Sequence, residues 1–319
     1  MSEFFVDKPK EGKPWDVIII GSGPAAFTAA IYTTRGALST LVITGEKWGG
    51  QLMNTSMVDN FPGFAEGILG PELMMNFKKQ AERFGAEILT KNVTKVDFSK
   101  NTFEIFSGSD KYLAKSVIIA TGALTKWLGV KGEDKLIGRG IATCAPCDAP
   151  FFKDKKVAVV GGGDSAMEEA HVLTKYATEI TLIHRRDTFR ASEASQQMIR
   201  NNPKIKILQN SEITEVTGEK KLETIKVLNN ETHKTIEIKV DGLFVAIGHK
   251  PDSDIFKGQV EMDEKGFIKA VDFHCGTSVK GVFVAGNVFD KYYKQAIVAA
   301  GSGCIAGMEV LKYLDQNKP

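Results

Sequence analysis

The chain has 319 residues, with 43% hydrophobic and 25% charged side chains, 31 glycines and 4 cysteines. That length suits about two domains with sizeable cores, and the composition excludes a disordered, collagenous or disulfide-built chain. Lys plus Arg number 41 against 39 for Asp plus Glu, which gives no reason to expect a nucleic-acid or membrane partner. Glycine runs above the usual ~7%, which points to backbone approaching something closely. No apolar stretch reaches the ~18 residues of a membrane span. The opening MSEFFVDKPKEGKPWD has Phe4, Phe5 and Val6 as its only apolar cluster. It lacks the apolar core of a signal peptide, so a cytoplasmic protein is expected.

After this tail, Trp15 to Ile20 (WDVIII) reads as a buried parallel strand, followed by the turn GSGPAA and the helical pattern FTAAIYTTRG. LSTLVITG is the next strand, and residues 45–70, rich in Gly, Pro, Asn and Thr, read as a long structured loop. PELMMNFKKQAERFG returns to helix, with Pro71 in its first turn and Gly85 as its C-cap. Ser116 to Ala120 is another buried strand. At Lys155 the opening pattern repeats: strand KKVAVV, turn GGGDSA, helix MEEAHVLTKYA, strand EITLIHRRD. A repeat after about 140 residues supports two similar nucleotide-binding domains. The polar alternation of residues 210–240 predicts hairpins, and VDGLFVAIG closes that domain as a strand. KGVFVAGN adds a strand, and a helix is expected from about Gln295 to Asp315. A lone strand and helix cannot form their own core, so this tail should complete the first domain, with the second inserted within it.

The first glycine turn sits directly after an apolar strand and at a helix start. Gly21 permits the tight turn, Gly23 lets backbone N–H groups approach a pyrophosphate, and Ala26 is small enough for helix–strand packing. The alternative is a bare structural turn. Gly161-Gly162-Gly163-Asp164-Ser165-Ala166 stands in equal context. An NAD site usually places an acid at the end of the following strand. This chain places His184, Arg185 and Arg186 there, with Arg190 beyond. Guanidinium groups there suit the extra ribose phosphate of NADPH, against the plainer reading of a basic surface patch. His184 is either a strand-end packing residue or a contact of the adenosine. Two dinucleotide sites in one chain imply electron transfer between cofactors, and the natural acceptor of a nicotinamide hydride is a flavin, which the first fold can hold as FAD.

Cys144-Ala-Pro-Cys147-Asp148 lies between the halves. Structural zinc would need four ligands, and Cys275, Cys304 and the histidines offer none at suitable spacing. Two inert thiols remain the bland alternative. A dithiol cycling with a disulfide is favoured, because chemistry with flavin and nicotinamide needs a two-electron terminus. Asp148 is a candidate proton donor if burial raises its pKa, and otherwise a cap or turn carboxylate. Pro146 stiffens the loop between the sulfurs.

Taken in order, GSGPAA, GGQL (Gly49 to Leu52), NFPGF (Asn60 to Phe64), ATGA (Ala120 to Ala123), CxxCD, GGGDSA, HRRDTFRA, AIGHKP and the terminal YYKQAIVAAGSGC place the chain. Almost end to end, it resembles the low-molecular-weight thioredoxin reductases, NADPH-dependent flavoproteins of bacteria and lower eukaryotes. The resemblance implies an α/β fold of two Rossmann-like, three-layer ββα domains, the NADPH domain inserted within the FAD domain. Residues 1–126 and 253–319 would bind FAD, and 127–252 would bind NADPH and carry the CxxC. In the FAD domain it implies cofactor contacts at Gly21, Ser22, Gly23, Pro24, Ala25, Gly49, Gly50, Gln51, Leu52, Asn60, Ala120, Thr121, Gly122, Gly286, Asn287, Lys294, Gln295 and Ala296. In the NADPH domain it implies Gly162, Gly163, Asp164, Ser165, His184, Arg185, Arg186, Arg190, Ile247 and Gly248, with the three arginines on the 2′-phosphate. Cys147 would lie beside the flavin, Cys144 would attack the thioredoxin disulfide, and Asp148 would be the general acid. The resemblance also implies a homodimer without metal, and an NADPH domain that rotates about hinges near residues 126–132 and 249–254. A related reductase serving another disulfide, or a non-catalytic flavin-binding module, are the competing functions.

Three positions depart from the family pattern. Asn287 stands where an aspartate is usual, leaving a neutral acceptor for the flavin's ribityl chain. Lys294 replaces an arginine fork by a point charge, and Ala149 replaces a glycine. Trp48 and Trp127 read as packing, with a flavin-side contact the other option for Trp48. Met53, Met57, Met74 and Met75 read as packing too. Cys304 is expected to be a small buried hydrophobe and Cys275 a free thiol in a loop.

Overall fold

The computed structural model describes residues 7–317, so Phe4, Phe5 and Val6 lie outside the described residues. Two compact units form, one from the segments Met1–Leu124 and Lys250–Pro319, the other from Thr125–His249. Each is built on a parallel sheet whose centre is a strand buried on both faces.

In the first unit that strand is Trp15–Ile20. It pairs in parallel with Thr40–Ile43 on one side and with the end of Asp110–Ile119 on the other. Glu87–Leu89 extends the sheet at one side, and Val282–Val284 joins Asp110–Ile119 from the C-terminal segment. The run Val17 to Ile20 is apolar throughout because both faces are covered. Val17 and Ile19 pack toward the helices, while Ile18 and Ile20 pack with Val96, Phe98, Phe103 and Ile105. The ten-residue strand Asp110–Ile119 serves both layers: its first half pairs antiparallel with Phe103–Ser107, and that strand with Lys95–Asp97.

Helix Pro24–Arg35 packs along the C-terminal helix Ala296–Gln316. Small residues permit the contact, since a Cβ on Gly303 would stand 2.1 Å from the Ala25 carbonyl oxygen. This C-terminal helix is long and apolar enough to cross a membrane by length and composition, contrary to the expectation that no such stretch exists. Its apolar character here serves packing: Ala299, Ala306 and Val310 lie in the core against Ala25, Ala29 and Ala30. Helix Gly70–Arg83 carries Pro71 in its first turn as expected, but its C-cap is Phe84. Gly85 follows at φ +96, which lets Ala86 N–H return to the Ala81 carbonyl. The loop of residues 45–70 contains a 3₁₀ turn, Gly50–Asn54, and a short antiparallel pair, Met57–Val58 with Ile68–Leu69.

In the second unit Lys156–Val160 is central. Glu179–Ile183 and Ile205–Leu208 lie to one side, Gly242–Val245 and Ile141–Ala142 to the other, all parallel. Val157 and Val159 meet Ala166, Met167 and Ala170 of helix Asp164–Leu173. Ala158 and Val160 meet Ile213, Val216, Ile225 and Val227 of a three-stranded antiparallel sheet. Helix, parallel sheet and antiparallel sheet make the expected three layers. The helix ends at Leu173, short of the expected Ala177, because the Thr174 hydroxyl takes the His171 carbonyl at 2.7 Å and the chain leaves in tighter turns. The chain crosses between the units within the short strands Ala123–Thr125 and His249–Pro251.

Candidate active site

The two glycine turns repeat one piece of geometry. A Cβ on Gly21, at φ +129, would stand 2.1 Å from the Ala120 carbonyl oxygen, and one on Gly161 would stand 2.5 Å from that of Ala246. Only glycine lets the turn press this closely on the end of the neighbouring strand. Each turn delivers a helix start, capped at Gly23 and at Gly163, without any side-chain cap bond. Helix Pro24–Arg35 has no acid in its first turn, so its first N–H groups and its dipole are left for an anion.

Around the first turn, residues distant in sequence converge. Gly49 N–H donates to Ser22 Oγ at 2.9 Å, and a Cβ on Gly50 would lie 3.6 Å from Gly23 Cα. Gln51 Nε2 donates to the Ala123 carbonyl at 2.5 Å, with Leu52 beside it packed against the core. Thr121 Oγ1 donates to the Asp252 carbonyl at 2.5 Å, and Gly122 takes φ +76. Asn60 Nδ2 meets Gln295 Oε1 at 3.3 Å, just before Ala296 starts the last helix. Gly286, at φ +76, has its N–H held by Ser302 Oγ. Beside it Asn287 Oδ1 is buried and has no hydrogen-bond partner among the described residues. A buried acceptor left unmade is costly. With the anion-ready helix start and the glycine cradle, it marks the residues present as a fit for a dinucleotide. Lys294, at φ +49, sends its ammonium to the Lys291 carbonyl at 3.0 Å, and Asp290 receives the N–H groups of Tyr292, Tyr293 and Lys294.

Around the second turn, the His184 side chain is buried. A Cβ on Gly162 would strike its ring at 2.1 Å, the ring stacks on Phe189 at 5.1 Å, and Nε2 lies 3.0 Å from the Thr188 carbonyl. Burial holds its pKa below the usual imidazole value. Asp164 accepts from Ser192 N–H and Ser195 Oγ, both at 2.9 Å, and those bonds lower its pKa. It ties the turn to the segment after it, with Ser165 exposed next to it. Arg185, Arg186 and Arg190 are exposed. Arg190 N–H donates to the Gly162 carbonyl at 2.7 Å, which draws the arginine segment to the glycine turn. Ile247 is half-buried, and Gly248, at φ +99, follows strand Gly242–Val245 as Gly122 follows strand Asp110–Ile119.

Cys144 and Cys147 form a disulfide with Cα atoms 5.3 Å apart. The turn Ala145–Asp148 closes it, with Cys147 and Asp148 N–H groups donating to the Cys144 carbonyl at 3.2 and 3.0 Å. Burial pushes the Asp148 carboxyl up to about 6, so it can carry a proton at nearly neutral pH. The Ala145 N–H, between the sulfurs, donates to the Glu169 carboxylate. Ala149 takes an ordinary right-handed φ of −53 and is buried, so no glycine is required there.

Sequence reasoning missed Glu169, whose partner is 24 residues away, and Glu46. Glu46 is exposed just after strand Thr40–Ile43, where an acid suits a ribose hydroxyl. The spacing after the first glycine turn would have found it. Trp48 packs edge-on to Phe27 at 6.3 Å, Trp127 packs against the second unit's core, and Met74 is buried. Of the free thiols, Cys275 is the buried one, and burial pushes it up to about 12. Cys304 is only half-buried, contrary to expectation, because on the last helix it falls beside the inward stripe of Ala299, Gly303, Ala306 and Val310.

Two such glycine turns and a redox-capable cysteine pair mark a nucleotide-linked disulfide oxidoreductase. The chain matches the pyridine nucleotide-disulphide oxidoreductase family over residues 15–303 and belongs to it. It is 48% identical to a thioredoxin reductase of Mycolicibacterium smegmatis, over 94% of this chain and 96% of that relative. Thioredoxin reductase 2 of Arabidopsis thaliana is 49% identical, over 94% of this chain and 82% of the relative. Among solved structures, a thioredoxin reductase from Streptococcus pyogenes MGAS5005 has a TM-score of 0.91 at 38% identity, covering 95% of this chain and 98% of its own. One from Giardia duodenalis has a TM-score of 0.91 at 41% identity, covering 95% and 99%.

Proposed function

We propose that this protein is a thioredoxin reductase, which uses NADPH and resident FAD to reduce the disulfide of thioredoxin through Cys144 and Cys147. The observation that carries the reading is the Cys144–Cys147 disulfide, closed in one turn beside a carboxyl pushed up to about 6. It stands in a chain whose relatives at 48–49% identity are thioredoxin reductases. On this reading residues 1–126 with 253–319 bind FAD and residues 127–252 bind NADPH. The compact units bounded at Leu124 and His249 support that division. The enzyme is taken to be a cytoplasmic homodimer.

The helix start at Gly23 and the turns of Gly49 and Gly50 would hold the FAD pyrophosphate, and Asn287 Oδ1 would accept from its polyol. Gln51, Asn60 and Gln295 would position the rest. Arg185, Arg186 and Arg190 would take the NADPH 2′-phosphate. The bound flavin supplies a two-electron path from nicotinamide to the disulfide. The reduced pair then acts through its own atoms. The Cys144 thiolate attacks a sulfur of the thioredoxin disulfide, and the other thioredoxin sulfur leaves as a thiolate. Asp148, about a tenth protonated at pH 7 with a pKa of about 6, gives that thiolate a proton. The Cys147 thiolate attacks Cys144 Sγ, which releases reduced thioredoxin and restores the disulfide.

The test mixes purified holoenzyme, NADPH and thioredoxin, and follows NADPH oxidation coupled to reduction of an aromatic disulfide. Wild type turns over and Cys144→Ser does not. A protein that purifies without flavin, or a Cys144→Ser variant that still reduces thioredoxin, refutes the proposal.

A further inference from the structure

The segment after strand Glu179–Ile183 is held in an unusual way. Five consecutive carbonyls are taken. Ser211 N–H donates to that of His184 at 2.9 Å, Asn230 Nδ2 to that of Arg185 at 3.3 Å, and Asn210 N–H to that of Arg186 at 3.1 Å. Gln209 Nε2 donates to that of Asp187 at 2.5 Å, and His184 Nε2 meets that of Thr188 at 3.0 Å. The N–H groups of Arg185, Arg186, Asp187 and Thr188 have no partner among the described residues. The bracket is itself fixed: Asn230 N–H donates to the Asn210 carbonyl at 2.6 Å, and Asn210 Nδ2 to Glu231 at 2.8 Å.

A loop whose acceptors are all occupied and whose donors are free leaves its N–H groups available to an anion. Arg185 and Arg186 project from that same segment, and Arg190 is tied to Gly162 close behind it. Were the carbonyls free to rotate, they would present partial negative charge beside the guanidinium groups. The loop would then satisfy its own N–H groups before any ligand arrived. The donors that prevent this come from Gln209, next in sequence to the last strand of the parallel sheet, and from Asn230, at the far end of the antiparallel hairpin.

We propose that Gln209 and Asn230 are positioning residues for cofactor choice: by pinning the carbonyls of Asp187 and Arg185 they aim the loop's N–H groups, with the arginines, at a ribose 2′-phosphate. The inference rests on the NADPH reading and extends it from three side chains to the backbone that carries them. Discrimination for the phosphorylated ribose is then partly a property of two neutral amides that touch no ligand.

The experiment measures binding of 2′,5′-ADP and of 5′-AMP to the holoenzyme by calorimetry, for wild type, Gln209→Met, the double variant Gln209→Met/Asn230→Leu, and Arg185→Ala/Arg186→Ala. Steady-state constants for NADPH are measured alongside. The bracket variants are expected to bind 2′,5′-ADP about tenfold more weakly, the scale of a lost charge-assisted hydrogen bond. Affinity for 5′-AMP should stay unchanged, and KM for NADPH should rise at constant kcat. If both ligands weaken equally, or neither does while the arginine variant loses 2′,5′-ADP, the bracket has no role in choice and the proposal falls alone. If wild type binds both ligands equally, the NADPH reading falls and takes the proposal with it. Should the double variant fail to fold, Gln209→Met decides by the same criteria.

Discussion

Asp148 offers the sharpest physical test, because its carboxyl is held at about 6 against an ordinary 3.8 by burial. A displacement of about 2 units corresponds to roughly 3 kcal/mol of difference between its two protonation states. In the oxidised enzyme the folded state holds this proton more tightly than the unfolded chain does. Between pH 4 and 6 the native state therefore binds more protons than the unfolded state, and stability falls as pH rises. The contribution is intact below pH 4 and gone above about pH 6, where the native fold must bury the ionised group. Asp148→Asn removes the titration. Urea denaturation of both proteins from pH 4 to pH 8 should show equal stability at the acid end. The variant should gain up to about 3 kcal/mol by pH 7. The same variant should lose about 10²-fold or more in thioredoxin reduction at neutral pH, if the carboxyl donates a proton in that step. A stability difference that stays constant across the range would refute the buried, proton-holding carboxyl. A gain in stability without a loss in turnover would leave the burial but remove the catalytic role.

Gly21→Ala should abolish flavin retention and destabilise the apoprotein, since its Cβ would press on the Ala120 carbonyl. Gly23→Ala, which meets nothing within 4 Å, should leave apoprotein melting unchanged yet lower the flavin-to-protein absorbance ratio. Equal effects of the two would contradict a ligand at that turn. Asn287→Leu should leave the apoprotein at least as stable, because a buried unpartnered acceptor is removed. It should also weaken flavin binding several-fold in titration; unchanged affinity would mean the acceptor faces something else. In native protein a maleimide should label Cys304 well before Cys275, which is buried and pushed up to about 12; mass spectrometry showing the reverse order would overturn that placement.

Much of the fold and of the site is legible in the sequence because it is written in local signals. Val17 to Ile20 and Val157 to Val160 are apolar runs with no polar alternation, as strands covered on both faces require, and each is followed at once by its glycine turn. The cysteine pair declares itself by spacing. The features that stay hidden depend on partners far apart in the chain. The Glu169 carboxylate reaches Ala145, and the Asn230 amide reaches the Arg185 carbonyl across 45 residues. Neither has a periodicity or motif. The two free thiols show a different failure: apolar neighbours suggest burial for Cys304, although helical spacing from Ala299 and Gly303 already places it off the buried stripe.

On the proposed function, the repeated geometry gives one fold two duties. Gly21 with Ala120 and Gly161 with Ala246 are nearly the same contact, so the turns and their helix starts cannot distinguish one dinucleotide from another. The difference lies just beyond the second strand of each unit. In the first unit Glu46 stands exposed there, an acceptor that suits unmodified ribose hydroxyls and repels a phosphate. In the second unit the corresponding segment is His184-Arg185-Arg186, with the histidine turned inward as packing and the arginines left outward. Inward placement of His184 has a consequence beyond filling space. Its ring takes the Thr188 carbonyl and fills the gap that Gly162 leaves, so one side chain contacts both the glycine turn and the arginine loop. On the proposed function, cofactor choice is therefore set outside the glycine motif, by the loop of Arg185 and Arg186 whose carbonyls are hydrogen-bonded.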